Sequence, residues 1–259
     1  MELHREVSTG GRSEKLVLED VAFAYRRGAP ALDGLGITLD TRLTCVLGPN
    51  GAGKSTFFGV ATGRLLPHRG KVTMGPLTLT RRTRRDWARH IGWTPQDIPA
   101  APGLTVREQV RYVAWLHGLS RAESRQAANE ALEAVDLVRL AGAWVSSLSG
   151  GQRRRVGIAS GISHRPDFAF LDEPTAGLDA EQRDHFRSLL RTAAEHTRIV
   201  VSTHQTEDVS EVYDDIIVID GGRALFQGSV DAFIAPRPSE RTRHRTVDEA
   251  YIDLIRSRR

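Results

Sequence analysis

The sequence has almost no cysteine and no long hydrophobic run, and each shortage narrows the class of protein. Cys45 is the one cysteine among 259 residues, so no disulfide can form within the chain, which fits a reducing compartment. No apolar run reaches the roughly 18 residues that a transmembrane helix requires, and the first residues lack the apolar centre of a signal peptide. We therefore expect a cytoplasmic chain of one large domain in which Cys45, within an apolar run, has a packing role.

Lysine is scarce as well, since Lys15, Lys54 and Lys71 are the only lysines among 36 Lys and Arg residues. The formal net charge is +4, and arginines concentrate in residues 81–89 and 237–259. We interpret both arginine segments as solvated surface. The alternative is contact with anionic lipid headgroups or with an acidic loop of a partner. Because no nucleic-acid-binding module or interleaved aromatic pattern accompanies the arginines, we do not expect a nucleic acid as partner.

Residues 48–56 fit the G-x-x-x-x-G-K-S/T pattern of a phosphate-binding loop at every fixed position. The apolar run 43–47 before them predicts the buried strand that this motif requires. Glycines allow backbone turns that a Cβ would block, and the loop N–H groups then bind anionic oxygens at the start of the next helix. Lys54 supplies a compact positive charge for phosphate, although most cationic residues of this chain are arginines. The Ser55 hydroxyl suits Mg²⁺. The predicted nucleotide ligands in this loop are Gly48, Pro49, Asn50, Gly51, Ala52, Gly53, Lys54, Ser55 and Thr56.

Two apolar runs further along the chain end in polar side chains. Residues 168–172 form a run that ends in Asp172 and is followed by Glu173, and residues 199–203 form one that is followed by His204. Because the carboxyl ends of parallel strands face a ligand crevice, Asp172 is predicted to hold Mg²⁺ through water. Glu173 is predicted to be the general base for the attacking water. His204 is predicted to donate a hydrogen bond to a γ-phosphate or transition-state oxygen.

The rest of the chain alternates between strand and helix patterns around one helical stretch. Alternating and apolar runs predict strands at residues 15–25, 36–40, 42–47, 71–74 and 90–94, and helical periodicity predicts helices at 54–62, 105–117 and 120–135. Ser120 with Glu123 and Thr246 with Glu249 have the spacing of capping boxes, and the second pair predicts a last helix to about residue 256. Strand and helix alternate again from Asp167, as is typical of an α/β fold with a parallel sheet.

These segments, in this order, resemble the nucleotide-binding subunit of an ABC transporter over residues 16–228. Residues 48–56 correspond to the Walker A loop, Gln96 to the Q-loop, 148–152 to the LSGGQ signature, 168–173 to Walker B with the catalytic glutamate, 176–179 to the D-loop, His204 to the switch histidine and Tyr25 to the aromatic residue that stacks on adenine. The sequence departs from the family pattern at Gly177 in the D-loop, at Trp93 where Tyr is frequent, and at residues 40–42, which lack a glycine. None of these positions is catalytic, so ATP hydrolysis is still expected.

The resemblance implies a P-loop NTPase fold, in which a RecA-like parallel sheet core is joined by an antiparallel β subdomain and an inserted all-helical subdomain. It implies an ATP-binding core of residues 15–96 and 165–228, a helical insert of residues 97–164 with the signature, and a short helical tail of residues 229–259. ATP and Mg²⁺ are the expected ligands, with Ser55, Gln96 and Asp172 at the metal. The residues expected to contact nucleotide besides the phosphate loop are Tyr25, Gln96, Ser149, Gly150, Gly151, Gln152 and Asp179.

The resemblance also implies partners. In this family the signature of one subunit closes over ATP bound by another, so we expect a second ATP-binding subunit, as a homodimer. Transport then requires a separate integral membrane permease, expected to dock near Gln96 and residues 97–104. The expected location is peripheral, on the cytoplasmic face of the cell membrane. Residues 104–108 and 151–159 resemble the exporter branch, which favours export of a substrate that the sequence does not identify.

Two other classes of protein share part of this pattern. A non-transport ABC-type ATPase would act with a soluble partner. Those of the translation-factor type have two cassettes, and those of the chromosome-maintenance type insert long coiled coils, whereas here only roughly 90 residues without heptads separate the loop from the signature. A regulatory nucleotide-binding module without catalysis is the other class, and Glu173 and His204 argue against it.

Overall fold

The computed structural model of the chain describes residues 14–25, 28–98, 101–176, 178–207, 209–235 and 246–257. Its strands are β1 Leu16–Phe23, β2 Leu32–Leu39, β3 Leu43–Leu47, β4 Arg69–Met74, β5 Leu77–Thr78, β6 Ile91–Thr94, β7 Phe168–Asp172, β8 Arg198–Thr203, β9 Asp215–Asp220 and β10 Arg223–Ser229. Its α-helices are α1 Lys54–Ala61, α2 Arg84–His90, α3 Val106–Leu116, α4 Arg121–Ala134, α5 Gly150–Ile162, α6 Ala180–Ala194, α7 Val209–Val212, α8 Val230–Ile234 and α9 Val247–Arg256. None of these helices has both the length and the apolar composition to cross a membrane.

The larger sheet has the strand order β10-β9-β3-β8-β7-β6, and all its pairs are parallel except β10 with β9. The central strand β3 is buried at all five of its residues, as expected for a parallel strand covered on both faces. In the register, Leu47 on β3 lies beside Thr203 on β8, and Asp172 on β7 lies beside Ser202. The carboxyl ends of three strands therefore meet at one edge of the sheet.

A second sheet of four antiparallel strands, in the order β2-β1-β4-β5, packs over helix α1. This helix is buried at every residue except Ser55, because it lies between the two sheets. The rings of Phe57 and Phe58 pack edge-on against Phe170 of β7, with centroids 6.4 and 5.2 Å away. Helix α1 and the loop before it are thus fixed from both sides.

Helices α3, α4 and α5 form a group beside the larger sheet, with Val110, Ala128, Leu132 and Val156 in their common core. Each of these helices begins with a capping box. The side chain of the residue just before the helix accepts from the backbone N–H of the third helical residue, whose side chain accepts from the backbone N–H of that preceding residue. The capping boxes predicted at Ser120 and Thr246 are both present. These starts were readable from sequence because a capping box depends on only four consecutive residues.

Helix α2 was not predicted, and several strands differ from their predicted bounds by one to four residues. The sequence of α2 is rich in arginine and has a single buried residue, Trp87, whose indole N–H donates to the Ala61 carbonyl at 2.9 Å. One buried residue gives no periodicity to detect. Strand β2 begins at Leu32, four residues before the predicted start, because its glycines obscure the alternation. Strand β1 ends at Phe23, so Tyr25 lies beyond it.

The segment after β10 packs against the outer face of the larger sheet. Val230 and Phe233 of α8 and Val247 of α9 share a core with Cys45 of β3. Cys45 is fully buried, and this burial raises the pKa of its thiol far above its ordinary value, which confirms the predicted packing role. Most of the arginines in the tail lie outside the described residues.

Two histidines stack at the junction between the helical group and the larger sheet, with ring centroids 3.8 Å apart. His117, at the end of α3, has its Nδ1 2.7 Å from the Ala88 carbonyl, and His164, after α5, has its Nε2 3.2 Å from the Ile91 carbonyl. The Nδ1 atom of His164 is buried with no hydrogen-bond partner among the described residues. Desolvation by burial lowers the pKa of His164 to about 3, and lowers that of His117 as well.

We expect this stack to make the folded state sensitive to acid. Because the unfolded imidazole of His164 binds a proton below pH ~6.5 and the folded one does not, stability is complete above that pH and falls below it, by up to ~1.4 kcal/mol per pH unit. The change His164→Phe should flatten the dependence of unfolding free energy on pH between 7.5 and 5, measured by urea denaturation. His196→Phe, at an exposed histidine, is the control. Equal slopes for wild type and His164→Phe would contradict this account.

Candidate functional site

The predicted phosphate loop connects β3 to α1 and lines a cleft of about 360 Å³. The loop packs so tightly on β9 that a Cβ on Gly48 would lie 2.2 Å from the Ile219 carbonyl oxygen. Gly53, which precedes α1, has φ of +106°, a left-handed conformation that favours glycine. These two positions explain why the loop requires glycine at its ends. The remaining loop residues line the cleft: Pro49, Asn50, Gly51, Ala52, Gly53, Lys54, Ser55 and Thr56.

The side chain of Lys54 folds back into its own loop. Its Nζ donates to the Gly48 carbonyl at 2.7 Å and to the Pro49 carbonyl at 3.2 Å, and the residue is only 7% exposed. A buried positive charge therefore lies inside the loop at the start of α1. This arrangement attracts anionic phosphate oxygens.

Four predicted side chains from other elements line the same cleft, namely Tyr25, Gln96, Asp172 and Glu173. Tyr25 is 65% exposed, its hydroxyl lies 3.2 Å from the Thr56 hydroxyl, and its ring packs edge-on against Phe23 with centroids 5.1 Å apart. The ring thus has an open face beside the loop, as a base-stacking residue requires. Gln96 follows β6, and the two acids come at the end of β7.

Glu173 and His204 form a pair at the ends of β7 and β8. The Nδ1 of His204 lies 2.8 Å from Oε2 of Glu173, and the glutamate carboxylate is largely buried while the histidine is exposed. Because an ionised carboxylate only accepts hydrogen bonds, Nδ1 carries the proton in this contact. Glu173 also has a positive φ of +47°, which is uncommon for a residue with a side chain. The sequence predicted both residues at the site but did not predict that they contact each other.

The signature residues lie apart from this cleft. Ser149 caps α5, where its hydroxyl accepts from the Gln152 N–H at 3.3 Å and the Gln152 amide oxygen accepts from the Ser149 N–H at 3.0 Å. Ser149, Gly151 and Gln152 line a separate depression of about 170 Å³ with residues of α6. Asp179 caps α6, and its carboxylate accepts from the Gln182 N–H at 2.8 Å. Gly150 begins α5, and Gly177 of the predicted D-loop lies outside the described residues.

Two residues near the cleft were missed from the sequence. The backbone of Ala31 forms part of its wall, since a Cβ on Gly53 would lie 2.7 Å from the Ala31 carbonyl oxygen. Ser202 contacts both predicted acids from β8. The contact of Ala31 is made by its backbone and leaves no signal in the sequence. Ser202 could have been noticed, because it is a polar residue after the apolar residues 199–201 and two positions before His204.

A phosphate loop between a central parallel strand and a buried helix, with an acid pair at the end of the next strand but one in the sheet, defines a P-loop NTPase. Comparison with known proteins gives the family. A profile described as ABC transporter matches residues 36–176. The cobalt import ATP-binding protein CbiO of Rhodobacter capsulatus is 37% identical over 228 residues, which cover 86% of this chain and 81% of that protein. The linearmycin resistance ATP-binding protein LnrL of Bacillus subtilis is 30% identical over 249 residues, which cover 94% of this chain and 75% of that protein.

Among solved structures, the bacterial ABC transporter cassette MJ0796 matches with a TM-score of 0.73 at 27% identity, over 83% of this chain and 98% of that one. It was solved as a dimer, and also in a post-hydrolysis state bound to ADP and Pi. The chain belongs to the ABC transporter family. It is an ATP-binding, ATP-hydrolysing subunit of such a transporter, and the predicted fold class, family and ATPase activity are confirmed. The domain boundaries and the roles of single residues stay predictions.

We expect Gly48→Ala to weaken ATP binding, because the added Cβ would lie 2.2 Å from the Ile219 carbonyl oxygen and would displace the loop. The dissociation constant for ATP, measured by fluorescence with a labelled nucleotide, should rise more than about tenfold. Gly142→Ala is the control, since a Cβ at Gly142 has nothing within 4 Å. A Gly48→Ala protein that folds and binds ATP as tightly as wild type would contradict the assignment of this loop.

Proposed function

We propose that this chain hydrolyses ATP in a site completed by a second copy of itself, and that it thereby drives a separate membrane permease. One observation carries the proposal. The signature helix start and the phosphate loop, which both present N–H groups suited to phosphate, lie in two different depressions of the same chain. One chain therefore offers two halves of a phosphate site that do not face the same space.

The chemistry proposed for the cleft begins with binding. The loop N–H groups and Lys54 bind the β- and γ-phosphates, and Tyr25 stacks on adenine. The oxygen donors that line the cleft, from Ser55, Gln96 and Asp172, suit Mg²⁺, which prefers a hydroxyl or a carboxylate together with waters and phosphate. The described part of the chain has no group of three or more His, Cys, Asp or Glu that could hold a metal ion by itself, so a metal here would take some of its ligands from the nucleotide. When bound, Mg²⁺ would neutralise charge on the phosphates.

Glu173 then acts on water. Its carboxylate accepts the proton of the water whose oxygen attacks the γ-phosphorus, while the bond from that phosphorus to the bridging oxygen of ADP breaks. His204 holds this carboxylate in place through the 2.8 Å contact of its Nδ1, and when both ring nitrogens are protonated its Nε2–H donates a hydrogen bond toward the γ-phosphate oxygens. The two residues therefore share one task, which is to aim a base at the attacking water.

The second copy supplies what the cleft lacks. In a head-to-tail dimer with two-fold symmetry, Ser149, Gly150, Gly151 and Gln152 of each chain face the γ-phosphate held by the other. Asp179 caps the helix next to the signature and would border the same interface. The dimer solved for the MJ0796 cassette supports this arrangement. ATP binding then closes the dimer, and hydrolysis opens it.

The permease is proposed to dock beside Gln96 and the helical group. Helix α3 has exposed large side chains, Tyr112, Trp115 and Leu116, and such a patch is typical of a protein contact. The location that follows is peripheral, on the cytoplasmic face of the membrane. Residues 81–89 are still interpreted as solvated surface, with contact to anionic lipid as the alternative, since Arg84 and Arg89 bond to the Arg64 carbonyl and to Asp86.

Export remains the proposed direction, on the resemblance of residues 104–108 and 151–159 to the exporter branch. The relatives do not decide it, because one is named for cobalt import and another for linearmycin resistance. The second aligns over the larger share of this chain, and the first is more similar in sequence.

We expect two inactive variants to restore each other. Ser149→Arg blocks the signature and Glu173→Gln removes the base. In a homodimer of either variant, both sites are therefore defective. A mixed dimer has one site with a native base and a native signature, and random mixing should recover up to about a quarter of the wild-type rate. Phosphate release from the single variants and from their mixture measures this.

The control is nucleotide binding by the separated Ser149→Arg monomer, which should equal that of wild type because the signature acts on the partner's ATP. Two results would refute the composite site: no recovery in a mixture that forms dimers, or loss of nucleotide affinity in that monomer.

We also expect tagged Glu173→Gln, which retains bound ATP, to bring down a multi-span membrane protein in comparable amount from native membranes. Lys54→Ala is the matched control, because without tight ATP binding the closed dimer does not form. ATP-dependent uptake into inside-out vesicles with that partner would then establish export. Recovery with a soluble partner alone would instead favour a non-transport ATPase.

A further inference from the structure

Ser202 is a fully buried residue of β8 that lies beside Asp172 of β7 in the parallel register. The three residues before it, Ile199, Val200 and Val201, are apolar and buried. A hydroxyl at the end of such a strand adds nothing to apolar packing, and its burial is unfavourable unless it is hydrogen-bonded. The question is therefore what this hydroxyl contacts.

The hydroxyl of Ser202 joins the two acids of the site. The backbone N–H of Glu173 donates to the Ser202 Oγ at 3.0 Å, and the same N–H also donates to the Ser202 carbonyl at 3.1 Å. Since that N–H is only a donor, the Ser202 oxygen is the acceptor, and its single proton is free to donate to Oδ1 of Asp172 at 2.5 Å. One hydroxyl thus binds the side chain of the first acid and the backbone of the second.

The bond to the Glu173 N–H holds a backbone that is otherwise unfavourable. Glu173 has φ of +47°, and residues with side chains adopt this region rarely unless their surroundings impose it. In this conformation the Glu173 carboxylate reaches Nδ1 of His204, at 2.8 Å, on the residue two positions after Ser202. The turn that aims the proposed base is therefore fixed from β8 and not by β7 alone.

We propose that Ser202 is a positioning residue for ATP hydrolysis, which fixes the Asp172 carboxylate and the left-handed turn of Glu173 through one hydroxyl. This inference rests on the roles proposed above for Asp172 and Glu173. Ser202 is fully buried and is not among the residues that line the cleft. Its loss should therefore lower kcat and leave the affinity for ATP nearly unchanged.

The test compares three substitutions in the full-length chain. Ser202→Ala removes both hydrogen bonds, and Ser202→Cys keeps the volume but replaces the hydroxyl by a weak donor and acceptor. Both should lower kcat about 10- to 100-fold, as expected when a reacting group is misplaced, while the ATP dissociation constant changes less than about threefold. Ser202→Thr keeps the hydroxyl and should retain most of the wild-type kcat.

The matched control is Ser163→Ala, which removes another buried serine hydroxyl, one that donates to the Ser160 carbonyl at 2.9 Å. It should leave kcat unchanged. Thermal unfolding of every variant is measured beside ATPase activity and nucleotide binding. If Ser202→Ala does not fold, the Cys and Thr variants decide the matter by their difference in kcat.

Two results would overturn the proposal. One is a kcat for Ser202→Ala or Ser202→Cys within about twofold of wild type, which is too small a change for a misplaced base. The other is a parallel loss of kcat, ATP affinity and thermal stability in all three variants, which would indicate a packing role. Glu173→Gln distinguishes this failure from that of the underlying assignment. If Glu173→Gln hydrolyses ATP normally, the role assigned to Glu173 is wrong. If Glu173→Gln is inactive and Ser202→Ala is active, only the role assigned to Ser202 is refuted.

Discussion

The site depends on the parallel hydrogen-bonded ladder that joins β3, β8 and β7. Its register sets Leu47, the last residue before the phosphate loop, beside Thr203, and it sets Ser202 beside Asp172. A slip of one residue would turn each side chain to the other face of the sheet and separate the acids from the loop. The register is resistant to slipping because these strands are buried on both faces and continuous with the core.

How far the sequence alone predicts this arrangement depends on the range of the interactions. The capping boxes at Ser120 and Thr246 each involve only the next three residues, and the phosphate loop needs its glycines and the strand before it, so all three were predicted. Tyr25, Gln96, Asp172 and Glu173 line the cleft as predicted, whereas His204 only contacts Glu173 beside it and the signature lies in another depression. Helix α2 was missed because Trp87 alone anchors it, through a contact with Ala61 of α1. The stack of His117 on His164 and the bonds of Ser202 join segments distant in sequence, for which one sequence has no pattern.

The separation of the signature from the cleft follows from the same architecture. The phosphate loop is fixed between the two sheets, because α1 is buried on both sides. The signature begins a helix of the neighbouring group, and its depression is shared with α6 rather than with α1. Two helix N-termini that both suit phosphate are therefore held in separate places by separate cores. A second molecule is the simplest way to bring one of each kind to the same γ-phosphate.

The contact between α5 and β6 gives a physical route between Gln96, where the permease is proposed to dock, and the signature. A Cβ on Gly92 would lie 2.0 Å from the Gly161 carbonyl oxygen, so the helix and the strand approach backbone to backbone. Thr94, which lies two residues before Gln96, donates its hydroxyl proton to the Gly157 carbonyl at 3.0 Å. Because so close a contact resists sliding, we expect a displacement of β6 to be transmitted to α5. Since Ser149 caps that helix, a permease that shifts Gln96 would also shift the signature toward or away from the partner's ATP.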